Sequence, residues 1–266
     1  MRVDVSAEPN CLPHQRNRRN AVFARRARPH RRDLRLRRAP PRARSEKPRV
    51  SAFTSANIDK ILALKPDLVL TFSDLQAGIV ADLVRRGLDV HAFNQRTVAG
   101  ILDMIRTLGA MVDASERARQ LVETLETRLA EVRSRAARLP KRPRVFFEEW
   151  DDPLISGIGW VSELVEIAGG IDIFAEHRNQ SAAKDRVVTA EKVVAREPDL
   201  IIGSWCGKKF RPERVASRAG FDRIPAVQNQ DLYEIKSSLI LQPGPAALTD
   251  GLAELQRIIE RWATRP

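Results

Sequence analysis

Residues 57–70 read NIDKILALKPDLVL, and residues 189–202 read TAEKVVAREPDLII. In the first stretch Ile58, Ile61, Leu62 and Leu64 recur at helical spacing. Pro66 then removes a backbone donor and restricts the residue before it, so the helix stops there, and DLVL reads as a short buried strand. The second stretch repeats this grammar at an offset of 132 residues, with Lys, Ala, Pro, Asp and Leu identical. A helix–proline–strand unit that occurs twice predicts two α/β lobes of like architecture, each with a mainly parallel sheet covered by helices.

The surrounding sequence extends the alternation. LQAGIVADLVRRG reads as a helix closed by Gly87 as a C-cap, DVHAF as the next strand and TVAGILDMIRTLGA as the next helix. Later, RVFFEEW (144–150) is a strand and WVSELVEIAGG (160–170) a helix ended by Gly169 and Gly170. YEIKSSLIL (233–241) contains a further strand, and PAALTDGLAELQRIIERWA (245–263) is an amphipathic closing helix. Between the two repeats Ala118, Leu121, Val122, Leu125, Leu129, Val132, Ala136 and Leu139 recur at three- and four-residue steps. Asp113 with Glu116 reads as the capping signature of that long helix, and Pro140 and Pro143 stop it. The predicted organisation is a first lobe over 48–112, incomplete at its N-terminus, a linking helix over 113–140 and a second lobe over 141–266.

The 266 residues carry a formal net charge of +12, which invites a nucleic-acid reading. The charge is not spread over the chain. Residues 1–50 hold 16 Lys and Arg against 4 Asp and Glu, whereas the other 216 residues hold 30 of each. The body is therefore electroneutral, and nucleic acid is not an expected partner. The stretch RRARPHRRDLRLRRAPPRARSEKPR lacks apolar periodicity and the apolar core of a secretory signal. Residues 1–47 are read as a disordered basic arm that touches nucleic acid or anionic lipid, a transit-like segment or, preferred here, sequence from a wrong start or a shifted frame of a high-GC gene. Cys11 and Cys206 lie in very different contexts, so a disulfide carries little weight. No Cys/His spacing suits a metal.

The order of NIDKILALKPDLVL, the long helix, PLISGIGWVSELVEIAGGIDIF and TAEKVVAREPDLII resembles the substrate-binding proteins of ABC importers in their helical-backbone class, which take cobalamin (vitamin B12) and iron siderophores. The pattern S-G-x-x-x-x-x-x-L-V-E-x-A-G-G-x-x-I-F is most similar to the cobalamin-binding members. The resemblance spans roughly residues 48–262, and it departs where family members open their first lobe with a V-P-S-x-T-E type motif. It implies capture of a corrinoid, or of an iron chelate or haem, in a cleft between lobes. It further implies a monomer that delivers its ligand to a membrane permease, a periplasmic location although this chain shows no signal, and no enzymatic activity or cofactor. Docking on the permease would use one acidic residue per lobe, here Asp59 and Glu166, which read equally well as ordinary exposed helix carboxylates.

Ligands of open α/β sheets sit beyond the carboxyl ends of strands. That rule selects Phe72, Ser73, Asp74 and Gln76 after DLVL, and Glu149, Trp150, Asp151 and Asp152 after RVFFE. It also selects Trp205, Cys206, Gly207 and Lys208 after DLIIGS, and Lys236, Ser237 and Leu239 after LYEI. Leu154, Ser156, Gly157 and Trp160 lie on a loop entering a helix. Phe72 and Leu154 stand where the resemblance implies aromatic side chains, and Leu154 departs from it. Several of these residues have a plainer reading. Trp150, Trp160 and Trp205 read as ligand walls or as core. Cys206 reads more readily as a small buried thiol than as a ligand contact. Lys208, Lys209 and Arg211 read as holders of an anionic group or as a solvated basic turn. His91 and His177 read as structural. The EEWDD run could serve a metal-dependent hydrolase but reads more readily as a solvated strand end. G-x-S-x-G, G-K-[ST], H-E-x-x-H and G-x-G-x-x-G do not occur.

Overall fold

The computed structural model describes residues 2–5, 22–23, 50–52 and 55–265. The chain divides into two compact units, residues 1–95 and 96–266.

In the first unit β1 (Arg2–Val5), β2 (Val22–Phe23), β5 (Leu68–Phe72) and β6 (Val90–Phe93) form one sheet in the order β2-β1-β5-β6, and β3 (Ser51–Ala52) pairs with β4 (Ser55–Ala56). β1 runs parallel to β5 with Arg2 opposite Leu68, and β5 runs parallel to β6 with Val69 opposite Val90. The sequence reading placed no element in residues 1–47 and left the first lobe without its opening strand. The RVDV tetrapeptide corrects this. Four residues cannot hold a strand alone, but the open edge of β5 supplies partners for their backbone groups. Apart from Val22 and Phe23 of β2, the rest of that segment lies outside the described residues.

Helix α1 (Ile58–Ala63) starts at Asn57, whose side chain accepts a hydrogen bond from the Lys60 amide, and α2 (Ala77–Arg85) is followed by Gly87 at φ +79°. Ile61 of α1 and Leu83 of α2 bury themselves with Val50 and Val69 in a small core.

The second unit begins with α3 (Val98–Met111), capped by Thr97, and α4 (Ser115–Ala136). Both belong to this unit, although the sequence reading assigned α3 to the first lobe. Their packing explains the difference. Val98, Ile101, Leu102 and Ile105 of α3 share one core with Ala118, Val122, Leu125, Leu129 and Val132 of α4. A Cβ on Gly109 would overlap Ala118, so the two helices approach closely there. The expected Asp113 cap does not form. Asp113 turns the chain at φ +53°, and Glu116 is engaged by Arg119 and Gln120 instead. At 22 residues, α4 is about 33 Å long at 1.5 Å per residue.

The rest of the second unit is a sheet in the order β11-β10-β7-β8, with β9 also on β7. Its strands are β7 (Arg144–Asp151), β8 (Leu154–Ser156), β9 (Ile171–Asp172), β10 (Leu200–Gly203) and β11 (Leu232–Glu234). β7, β10 and β11 are parallel, and β8 is antiparallel to β7. Helix α5 (Gly159–Ile167) ends at Gly169, whose φ of +97° few other residues adopt. Helix α6 (Ala190–Ala195) is capped by Thr189, and the short helices α7 (Pro212–Ala216), α8 (Pro225–Gln228) and α9 (Ser237–Ile240) follow. The predicted closing helix begins as a π-turn over Ala247–Gly251, where Arg128 donates to the Thr249 carbonyl, and then becomes α10 (Leu252–Ala263).

The internal repeat holds at the level of the backbone. Asn57 and Thr189 cap the two helices in the same way, and Lys65 and Glu197 both adopt a left-handed conformation, at φ +47° and +42°, before their prolines. The strands Leu68–Phe72 and Leu200–Gly203 begin 132 residues apart. Each turn directs the chain from helix into a strand, since the residue before a proline is steered away from continuing the helix.

Candidate functional site

In the second unit β7, β10 and β11 end on the same side, and the segments that follow them gather four of the predicted residues into one cluster. β7 carries Glu148, Glu149, Trp150 and Asp151. A β-bulge against β8 shifts the register between Glu148 and Trp150, which re-aims successive side chains. The three carboxylates of this run are buried, and each meets a cation. Glu148 accepts from Arg218 at 2.5 and 2.8 Å and from the Trp205 indole N–H at 2.8 Å. Glu149 accepts from Arg186 at 2.7 and 3.1 Å and from the Ile158 amide at 3.0 Å. Asp151 accepts from Lys208 Nζ at 2.6 and 2.7 Å, with Arg214 3.7 Å away. Burial pushes the Glu148 carboxyl up, while Arg218 works in the opposite direction. The EEWDD run is therefore neither a solvated strand end nor a set of free carboxylates, since only Asp152 is exposed. Of the four carboxylates on which the hydrolase reading rested, three are held by arginine or lysine.

Lys208 stands over both neighbouring indoles, 5.2 Å from the centre of Trp150 and 5.6 Å from that of Trp205. Trp150 donates its N–H to the Asp152 carbonyl at 2.8 Å. Trp205 packs edge to face on Phe210, and the Phe210 ring lies on Gly203 so closely that a Cβ there would overlap it. The segment from 204 to 210 is thus pinned by Trp205, Lys208 and Phe210. Cys206 within it is buried and disulfide-bonded, which corrects the expectation of a thiol. Cys11 lies outside the described residues.

Other predicted residues are taken up by the fold itself. Trp160 is fully buried in the main core and donates to the Ile240 carbonyl at 2.9 Å. Ser156 Oγ lies 2.9 Å from His177 Nδ1 and donates to the Arg186 carbonyl at 3.2 Å. Gly157 sits against Phe147, and Leu154 is buried beside the β7–β8 turn. Lys236 is exposed and precedes α9, while Leu239 packs partly into the core. In the first unit the buried Gln76 accepts from the Phe72 amide at 2.9 Å, and Ser73, at φ +79°, bonds Asp74 at 2.8 Å. Phe72 is buried, and of these four only Asp74 is exposed. Asp59 is exposed in the first turn of α1, whereas Glu166 is exposed but held by Arg178 at 2.7 Å.

A family model for periplasmic binding proteins matches residues 29–239. The chain belongs to this family. Members are the solute-binding proteins of ABC transporters. Among curated relatives, the vitamin B12-binding protein of Salmonella typhimurium is 32% identical over 207 residues, which cover 76% of this chain and 75% of that one. The vitamin B12-binding protein of Vibrio vulnificus YJ016 is 24% identical over 231 residues, covering 84% and 79%. The solved periplasmic vitamin B12-binding protein of Vibrio cholerae superposes with a TM-score of 0.65 at 25% identity, over 85% of this chain and 86% of that one. The haem-binding protein RhuT of Roseiflexus sp. RS-1 superposes with a TM-score of 0.68 at 20% identity, covering 83% and 87%, a likeness of fold alone.

Sequence reasoning missed Arg186 and Arg218 as the partners of the acidic strand. Arg186 ends a short 3-10 helix (Ala183–Arg186) and Arg218 lies in the turn after α7, and nothing in the sequence singles either out from the neighbouring basic residues. An offset of 132 maps Asp59 onto Glu191, exposed in the first turn of α6, and not onto Glu166. Among the described residues no helix is long and apolar enough to cross a membrane.

Proposed function

We propose that the chain is the ligand-capturing component of an ABC importer and that its ligand is cobalamin or a related corrinoid. The observation that carries this reading is the 32% identity to a vitamin B12-binding protein over three quarters of both chains. A preorganised wall at the strand ends of the second unit is consistent with it. The segment from 204 to 210 is fixed by internal bonds, so little ordering is needed when a rigid macrocycle arrives. Haem and ferric siderophores are the competing ligands on the same framework.

Titration with cyanocobalamin tests the reading directly. All four tryptophans, at 150, 160, 205 and 262, lie in the second unit, so quenching of their emission reports ligand at this wall. Saturable one-to-one quenching with a matching calorimetric isotherm is the expected result. Tight binding of haem or a ferric siderophore with none of cyanocobalamin would overturn the ligand and keep the transport role.

Delivery to a membrane permease is the second part of the proposal. It uses one exposed carboxylate from each repeat, Asp59 and Glu191. The double reversal Asp59→Lys with Glu191→Lys is expected to leave ligand affinity unchanged and to abolish uptake in a reconstituted system. Unimpaired uptake by that variant would remove these residues from the docking surface.

A further inference from the structure

Resting on the reading of this chain as a corrinoid or metal-chelate carrier, we propose that Lys208 selects ligands bearing an acidic group, so that the second unit recognises its ligand through a cation and not through open aromatic walls. The exposures decide between these two. Trp150 and Trp205 are 9% and 3% exposed, whereas the Lys208 side chain is 32% exposed and stands over both rings. Both indole N–H groups are already donated within the protein. A molecule approaching these two indoles therefore meets an ammonium group, and stacking on either ring would require displacing it.

The charge at this point is positive in spite of Asp151. Two cations share that one carboxylate, and they differ from it in access. The Asp151 side chain is 3% exposed, while those of Lys208 and Arg214 are 32% and 55% exposed. The negative charge lies inside and the surplus positive charge faces outward. Lys209 and Arg211, both exposed, lie on the same segment and add to the field, which the exposed Asp152, Glu213 and Glu234, beside Asp151, Arg214 and Phe210, oppose. Asp151 takes two of the three ammonium protons of Lys208 and leaves one for a ligand acceptor. The ligand chemistry that fits is a rigid body with a peripheral phosphodiester or carboxylate. The buried carboxylate orients the lysine, and the two rings attract its ammonium group.

The test uses the full chain and three probes. Cyanocobalamin carries a phosphodiester, dicyanocobinamide has the same macrocycle without it, and haemin carries two propionates. The informative variant is Lys208→Gln together with Asp151→Asn, which replaces an ion pair by an amide pair and leaves no buried charge unpaired. Lys208→Arg keeps the charge, and a thermal midpoint near that of the parent shows that each variant is folded. The expected result is a loss of roughly ten-fold or more in affinity for the acidic probe that binds, as for a lost charge-assisted hydrogen bond. Dicyanocobinamide should be unaffected, and most of the affinity should return in Lys208→Arg. Equal weakening of acidic and non-acidic probes, or unchanged binding of the acidic one, would overturn the role of Lys208 while leaving the carrier function standing. Binding of none of the three probes by the parent protein would overturn this inference and leave a ferric siderophore as the ligand of the carrier.

Discussion

Replacing Arg186 by methionine removes one half of a completely buried ion pair, and its cost can be worked from the contacts. The Arg186 and Glu149 side chains are 0% and 1% exposed. The guanidinium spans both carboxylate oxygens at 2.7 and 3.1 Å and also donates to the Ser156 carbonyl. Without it Glu149 keeps a single partner, the Ile158 amide. Truncating one member of such a pair costs about 3–5 kcal/mol, because a charge is left buried without compensation. Removing both charges should cost much less, since the desolvation of the pair consumes most of its attraction. The expected order of stability is therefore parent, then Arg186→Met with Glu149→Leu, then Arg186→Met alone. Urea unfolding followed by tryptophan emission measures it, because every tryptophan lies in the unit that holds the pair. A single variant that loses less than about 1 kcal/mol, or a double variant that loses the sum of the two single ones, would refute the view that the charges compensate each other.

Three further outcomes follow from the same geometry. Trp160→Ala should lower stability by about 3–5 kcal/mol through the cavity it leaves in the core; a loss below about 1 kcal/mol in urea would place Trp160 outside that core. Gly203→Ala forces the Phe210 ring off the backbone and should cost about 1–3 kcal/mol, or more if the 204–210 segment detaches. Proteolysis within that segment would reveal detachment, and a fully protected, equally stable variant would contradict the overlap. His177 has its imidazole pushed below the ordinary 6.5, chiefly by burial. Its folded form therefore favours the neutral ring, and the unfolded chain binds more protons as pH falls. The stability it contributes is present above pH 6.5 and is lost as pH falls below that value and through the lowered folded one. Unfolding at a series of pH values should show this loss in the parent and less of it in His177→Gln. Identical pH profiles for the two proteins would sink this assignment.

The succession of elements and the duplication were both legible in the chain before it folded, because local chemistry suffices for them. Pro66 and Pro198 stop two helices, Gly87 and Gly169 take left-handed turns, and the apolar stripe of α4 fixes which residues turn inward. The repeat could be read as helix, proline break and strand, because a proline acts on its immediate neighbours; its matching caps, Asn57 and Thr189, showed only in the folded chain. Other features depended on groups distant in the chain and took shape only with the tertiary fold. RVDV became a strand because β5 had an edge to offer. Asp113 failed as a cap because the turn between α3 and α4 required it in a left-handed conformation. The acidic run of β7 looked solvated until Arg186, Lys208 and Arg218, which stand 37, 57 and 70 residues from their partners, were seen to close on it. Residue type predicted that charge would need a partner; only folding could say which one, and that it would leave Lys208 in front of the two tryptophans.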